Sequence, residues 1–304
     1  MHARADVLAK IAAGTAAAVR DRELRGAAGR AAAESLARGS GWSVSDVVCT
    51  CGPGDRAFEE VHRQQSIGVV LSGTFQHRSR DGRHVMSAGA FLLGNPGDGY
   101  ECDHEYASGD RCVAFHYSTE YIERIAAELA GRNVQPRFGA SRLPPARALS
   151  RAVARTAIAL SQPDRAAWNE LAVRVAVTAL SFDTGRTVRH AAPPSAVVRR
   201  ITEQVRAIEL DPSSDASLDS LAAAARLSPF AYLRTFEQLT GATPHQLLLR
   251  ARLRRAAVRL ETDSTKVIDV ALSSGFGDVS NFNKSFRAEF GVTPTQYRRA
   301  MVSA

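Results

Sequence analysis

Two hydrophobic rhythms divide this chain. Between Gly41 and Tyr117 apolar residues gather in short β-type runs, at 42–49, 66–71, 74–77, 90–93, 100–104 and 111–117, separated by Gly, Pro and Asp. Asp81-Gly82 is a hairpin signal. Short strands with regular turns predict a β-barrel or jelly roll. After Thr119 the period lengthens to that of a helix, over 120–129, 146–160 and 165–182. Val153, Ala157 and Leu160 mark one apolar stripe; Trp168, Leu171, Val175 and Leu180 mark another. Residues 183–195, with Pro193-Pro194, read as a linker, and 197–208 as a lead-in helix. Ahead of the strands, residues 1–40 form an Ala/Arg-rich segment that is helical or mobile. Val7, Leu8 and Ile11 permit one short helix there, and 24–36 another.

A duplication organises the rest. On an offset of 50 residues Asp219 pairs with Asp269, Phe236 with Phe286, Gly241 with Gly291, Thr243 with Thr293, Pro244 with Pro294 and Gln246 with Gln296. Each copy reads as helix, tight turn, helix. Ser228-Pro229 and Asp278 open the second helices, Gly241 and Gly291 close them, and Gly275 suits a turn. At 100° per residue Tyr232, Phe236 and Leu239 share one face of the first such helix, leaving Phe230, Leu233, Arg234 and Glu237 outward. In the second, Phe282, Phe286 and Phe290 turn inward, leaving Ser280, Asn283, Lys284 and Arg287 outward. A helix over 244–261 joins the copies. Cations and amides on a helix that follows a tight turn suit the DNA major groove.

The runs Leu221-Ala-Ala-Ala-Ala-Arg-Leu-Ser-Pro-Phe-Ala-Tyr-Leu-Arg-Thr-Phe236, Thr240-Gly-Ala-Thr-Pro-His-Gln-Leu247, Val270-Ala-Leu-Ser-Ser-Gly-Phe-Gly-Asp-Val-Ser-Asn-Phe-Asn-Lys-Ser-Phe286 and Phe290-Gly-Val-Thr-Pro-Thr-Gln-Tyr-Arg298 resemble the paired helix-turn-helix domain of AraC-type bacterial transcriptional regulators. Leu71-Ser-Gly73 and Gly89-Ala-Phe-Leu-Leu-Gly-Asn95 are similar to pieces of that family's cupin-like sensor. The resemblance implies an α+β chain with a cupin-like sensor and trailing helices at 41–182 and an all-α DNA-binding domain at 196–304. It further implies promoter or operator DNA as partner, a small-molecule effector, a homodimer paired through the helices after the barrel, and RNA polymerase if the protein activates. DNA contacts would fall on Phe230, Leu233, Arg234, Ser280, Asn283, Lys284 and Arg287. Phe230 and Leu233 are apolar where polar readers are usual; contact with thymine methyl groups would suit them.

Composition refines this little. The 304 residues are 45% hydrophobic and 23% charged, enough for two ordinary globular domains. The net charge of +8 suits a polyanion, but the excess is shared equally by 1–195 and 196–304, so placement rather than total charge carries the DNA argument. No apolar run reaches the ~20 residues of a membrane span, and 11–19 has no signal-peptide cleavage context. A cytoplasmic protein with reduced thiols and no membrane partner is expected.

Cys49 and Cys51, and Cys102 and His104, are spaced to share strand faces, a donor set that would suit zinc if the faces met, with Cys112, His62 and His116 in reserve. The spacing fits no standard zinc motif, and buried cysteine mainly packs as a small apolar residue. No metal is therefore expected, and an apolar effector pocket inside the barrel is. No Walker loop, dinucleotide fingerprint or nucleophile elbow is present, so no cofactor and no catalytic residue are assigned and an enzyme is not expected. The alternatives are a cysteine-based alkyl-acceptor DNA repair protein, a metal- or thiol-sensing regulator, and a small-molecule-binding protein whose helical domain contacts protein.

Overall fold

The computed structural model describes residues 7–129, 136–161, 165–182, 192–213, 217–262 and 264–302. Helix α1 (Val7–Leu24) precedes ten strands: β1 (Ala31–Gly39), β2 (Trp42–Cys49), β3 (Phe58–Val61), β4 (Gln65–Gly73), β5 (Phe75–Ser79), β6 (Gly82–Met86), β7 (Phe91–Gly94), β8 (Gly99–Asp103), β9 (Asp110–Tyr117) and, after helix α2 (Thr119–Glu128), β10 (Arg142–Leu143). They form two antiparallel sheets, ordered β1-β2-β9-β4-β7-β10 and β3-β8-β5-β6.

Register decides what each face buries. Val69 lies opposite Val113 and Ile67 opposite Phe115, so this face of the larger sheet is continuous, and with Tyr117 and Phe91 it packs under helices. Those helices are α1, α2, α3 (Arg147–Ser161) and α4 (Arg165–Phe182). Tyr117 fastens α4 by donating its hydroxyl to the Ala172 carbonyl at 2.8 Å. On the opposite face Val70, paired with Cys112, meets Phe75, Met86, Ala90 and Cys102. These side chains form a small apolar cluster between the two sheets.

Two expectations fail here. Residues 24–36 are not a helix: Gly26, at φ 61°, ends the helical stretch, and Ala31–Gly39 pairs with β2 as an edge strand. Alanine's helix preference gives way to a ladder of hydrogen bonds, so the sheet begins within the 1–40 segment. The stripes of α3 and α4 are also not free for a partner, because Val153, Trp168 and Leu171 are 1%, 1% and 4% exposed within the chain. Residues 183–191 of the expected linker lie outside the described residues.

Beyond them run α5 (Ser195–Leu210), α6 (Leu218–Ala225), α7 (Pro229–Thr240), α8 (Pro244–Thr262), α9 (Val267–Ser273), α10 (Val279–Phe290) and α11 (Pro294–Val302). Helix α8 is shared by the two repeats. Leu247 and Ala251 join Tyr232 and Phe236 in one apolar cluster, while Leu253, Ala256 and Leu260 join Phe282 and Phe286 in another.

Candidate nucleic-acid interface and sensor cavity

The two helix-turn-helix units are built by local capping. Ser228 accepts from the Ala231 amide at 3.3 Å with proline in the first turn, and Asp278 accepts from the Asn281 amide at 2.6 Å. Gly241 and Gly291 end the second helices at φ 77° and 80°, a conformation that costs a residue with a Cβ. Helices α8 and α11 then open with reciprocal caps: the Thr243 and Thr293 amides donate to the side chains of Gln246 and Gln296, whose own amides donate back to the threonine hydroxyls. The glutamines of the repeat are therefore capping residues.

With the ends fixed, the faces sort as the helical period predicts. Tyr232, Phe236, Leu239, Phe282 and Phe286 are fully buried, and Phe290 nearly so. Arg234, Glu237, Ser280, Asn283, Lys284 and Arg287 are exposed and Leu233 half-buried. Phe230 lies on α7, but its side chain is outside the described residues. Each unit thus presents at least one cation, and α10 adds an amide and a hydroxyl able to bond base edges or phosphates.

A cavity of about 500 Å³ lies between the β-rich part and these helices. One wall is the alanine face of α1, including Ala9, Ala12 and Ala16; the opposite wall carries Glu209 of α5 and Arg254 of α8. Glu209 accepts from the Ala88 amide and, at 3.3 Å, from the Thr74 hydroxyl. Burial pushes its carboxyl up to about 8, although the Ala88 amide and the Arg254 charge pull the other way. Arg254 is 4% exposed and fills the space beside Gly89, where a Cβ would lie 2.6 Å from its guanidinium. The same interface holds Gln76 to Thr202 at 3.2 Å and Arg250 to the Pro145 carbonyl at 2.6 Å.

Residues 45–175 match the model of the AraC-like ligand binding domain, and residues 221–300 that of a helix-turn-helix domain. The chain belongs to the AraC family of transcriptional regulators. Among its relatives is the regulator MtrA of Neisseria gonorrhoeae, 31% identical over 101 residues, which are 33% of this chain and 34% of that protein. The transcriptional activator NphR of Rhodococcus sp is 40% identical over 89 residues, 28% of this chain and 25% of that protein. The chain thus spans about a third or less of the length of these curated relatives. ToxT of Vibrio cholerae is a solved structure with 11% identity and a TM-score of 0.36, covering 86% of this chain and 98% of that one.

In this AraC-family chain the sulfur and nitrogen candidates part company. Cys49, Cys51 and His104 are all buried and bring their ligand atoms within 4.8 Å of one another, contrary to the expectation that they would not meet. Cys102 does not join them; it packs with Phe75 and Met86 between the sheets. His104 Nε2 lies 2.7 Å from Asp110 Oδ1, and Cys112 donates to Asp110 Oδ2 at 3.3 Å. His62 stacks on Tyr100 and bonds Ser66, elsewhere on the barrel. Burial pushes the thiols of Cys49, Cys51, Cys102 and Cys112 upward, the opposite of what an alkyl-accepting thiolate needs.

Glu209, Arg254 and the α1 alanines escaped the sequence reading. Arg254 had a signal in its place beside the apolar stripe of α8, whereas Glu209 had none.

Proposed function

We propose that the chain is a transcription regulator that reads promoter or operator DNA through α7 and α10 and responds to a small organic effector held in the cavity between α1 and helices α5 and α8. The observation that carries this reading is the exposure of Arg234, Asn283 and Lys284 on two capped helices whose aromatic faces are buried. The effector suited to the cavity has an apolar body against the α1 alanines and a polar group that answers Glu209 and Arg254. In this reading residues 41–182, with the preceding strand, form the sensor, 183–195 the linker and 196–304 the reader. DNA as ligand puts its work in the cytoplasm, as a regulator rather than a catalyst, with RNA polymerase as a further partner if it activates. Homodimerisation also belongs to this reading, through surfaces other than the buried Val153 and Leu171 stripes. No described helix is long and apolar enough to cross a membrane.

Footprinting the full chain on fragments selected from the source genome tests the proposal. Two successive major-groove segments on one DNA face should be protected, about one helical turn or ~34 Å apart. Equal affinity for selected and random fragments would overturn it.

A further inference from the structure

The grouping of Cys49, Cys51 and His104 goes beyond DNA reading and effector binding. The backbone enforces it. Strand β2 ends at Cys49, opposite Asp110 at the start of β9, and the Gly109 amide donates to the Cys51 carbonyl at 2.8 Å. Asp55 holds the turn after Cys51 by accepting from the amides of Gly29 and Gly52 at 2.9 and 2.8 Å and pairing with Arg22 at 3.4 Å. His104 lies just past the end of β8, on the turn leading into β9.

Apolar packing would account for two buried thiols, but it does not account for the histidine. His104 is 4% exposed, and its Nδ1 is buried with no hydrogen-bond partner. Its Nε2 faces the Asp110 carboxylate, which fixes the proton on Nε2 and leaves the lone pair on Nδ1. A carboxylate that orients an imidazole while the other nitrogen stays open is the outer arrangement found around metal-bound histidines. Two sulfurs and one imidazole nitrogen are a donor set for a thiophilic d10 ion.

We propose that Cys49, Cys51 and His104 bind one zinc ion, with Asp110 orienting the histidine and a fourth coordination position left for water or a small exogenous ligand. Binding replaces the two thiol protons, so Zn²⁺ enters, two protons leave and the ion with its two thiolates and imidazole is neutral. Gly109, whose amide holds the Cys51 carbonyl, also lines the interdomain cavity, so the ion would brace the cavity wall.

The test uses the full chain, reduced and stripped with a chelator, then titrated with Zn²⁺ and separately with Co²⁺. One equivalent of zinc should survive gel filtration, and cobalt should show a thiolate charge-transfer band with tetrahedral visible bands. Cys51→Ser and His104→Gln should each lower zinc affinity at least tenfold, while Cys102→Ser, outside the cluster, should keep it. Wild-type protein without a thiolate–cobalt band would overturn the proposal whatever the variants do. So would a Cys51→Ser variant that binds zinc as tightly as the wild type, or equal loss in Cys102→Ser.

Discussion

Arg142 of β10 donates to the main-chain carbonyl of Leu239, in the last turn of α7, at 3.2 Å, and reaches the Gln238 carbonyl at 3.4 Å. A cation at a helix C-terminus meets the negative end of the helix dipole and carbonyls that lack helical partners. Pro144 packs at the same place, where a Cβ on Gly241 would lie 2.2 Å from its ring. The β-rich part therefore grips the end of α7, one of the two helices proposed to read DNA, directly. Arg142→Ala should cost about 1.5–3 kcal/mol, the range for hydrogen bonds from charged groups. Amide exchange should speed up at residues 237–241 relative to the equivalent turn at 287–291. Unchanged exchange at both turns would show that the grip contributes nothing.

At the DNA surface, Arg234→Ala and Lys284→Ala should weaken binding to the selected site. Loss of a bidentate base contact by Arg234 would cost ~1–3 kcal/mol and relax one position of the site. Competition binding against random DNA separates the roles. An equal loss on both DNAs, with a shallower salt dependence, makes the residue a phosphate anchor.

Val153 tests where the α3 stripe is used. The side chain is 1% exposed inside the chain's own core, so Val153→Asp would bury a carboxylate among apolar neighbours. Denaturant unfolding should show a loss above about 3 kcal/mol, or no folded protein at all. A stably folded monomer would restore the reading in which this stripe pairs two subunits.

The reader was legible because its signals are local. Ser228, Asp278, Gly241 and Gly291 act within a few residues of their own position, and one period sorts Phe282 and Phe286 inward from Asn283 and Lys284. The sensor depends on pairings between distant segments. Ala31–Gly39 has the composition of a helix and becomes a strand only because β2 lies alongside. The Cys/His pairs misled for a related reason: period-two alternation holds only within a strand, and β2 ends at Cys49 and β8 at Asp103. Cys102 consequently points between the sheets, while His104 turns to meet Cys49 and Cys51. Arg142, among Gly, Ser and Pro, had no pattern to announce it.

The cavity offers a direct perturbation. Ala12 lines it and is half-buried, so Ala12→Trp should fill part of the volume with little strain in the helix. Thermal-shift screening of small organic acids, amides and alcohols should identify ligands that stabilise the wild type. Those ligands should lose most of their effect on the variant, since stabilisation follows occupancy. Ligands that stabilise both proteins equally bind elsewhere and would remove the cavity as the effector site.

Burial of the Glu209 carboxyl between the β-rich part and the helices should make stability depend on pH. Its carboxyl is raised from 4.5 to about 8, first by burial, with Arg254 nearby as the opposing charge. Below pH 4.5 the folded and unfolded chains both hold this proton. Between 4.5 and 8 only the folded chain does, so the unfolded state binds fewer protons and stability falls as pH rises, by up to about 1.4 kcal/mol per unit. Above 8 both forms are ionised and this group adds no further slope. Glu209→Gln keeps an acceptor for the Ala88 amide while removing the ionisation. Unfolding free energies measured from pH 5 to 8 should decline less steeply in the variant than in the wild type. Parallel profiles would mean that water reaches Glu209 and that it titrates as an ordinary carboxylate.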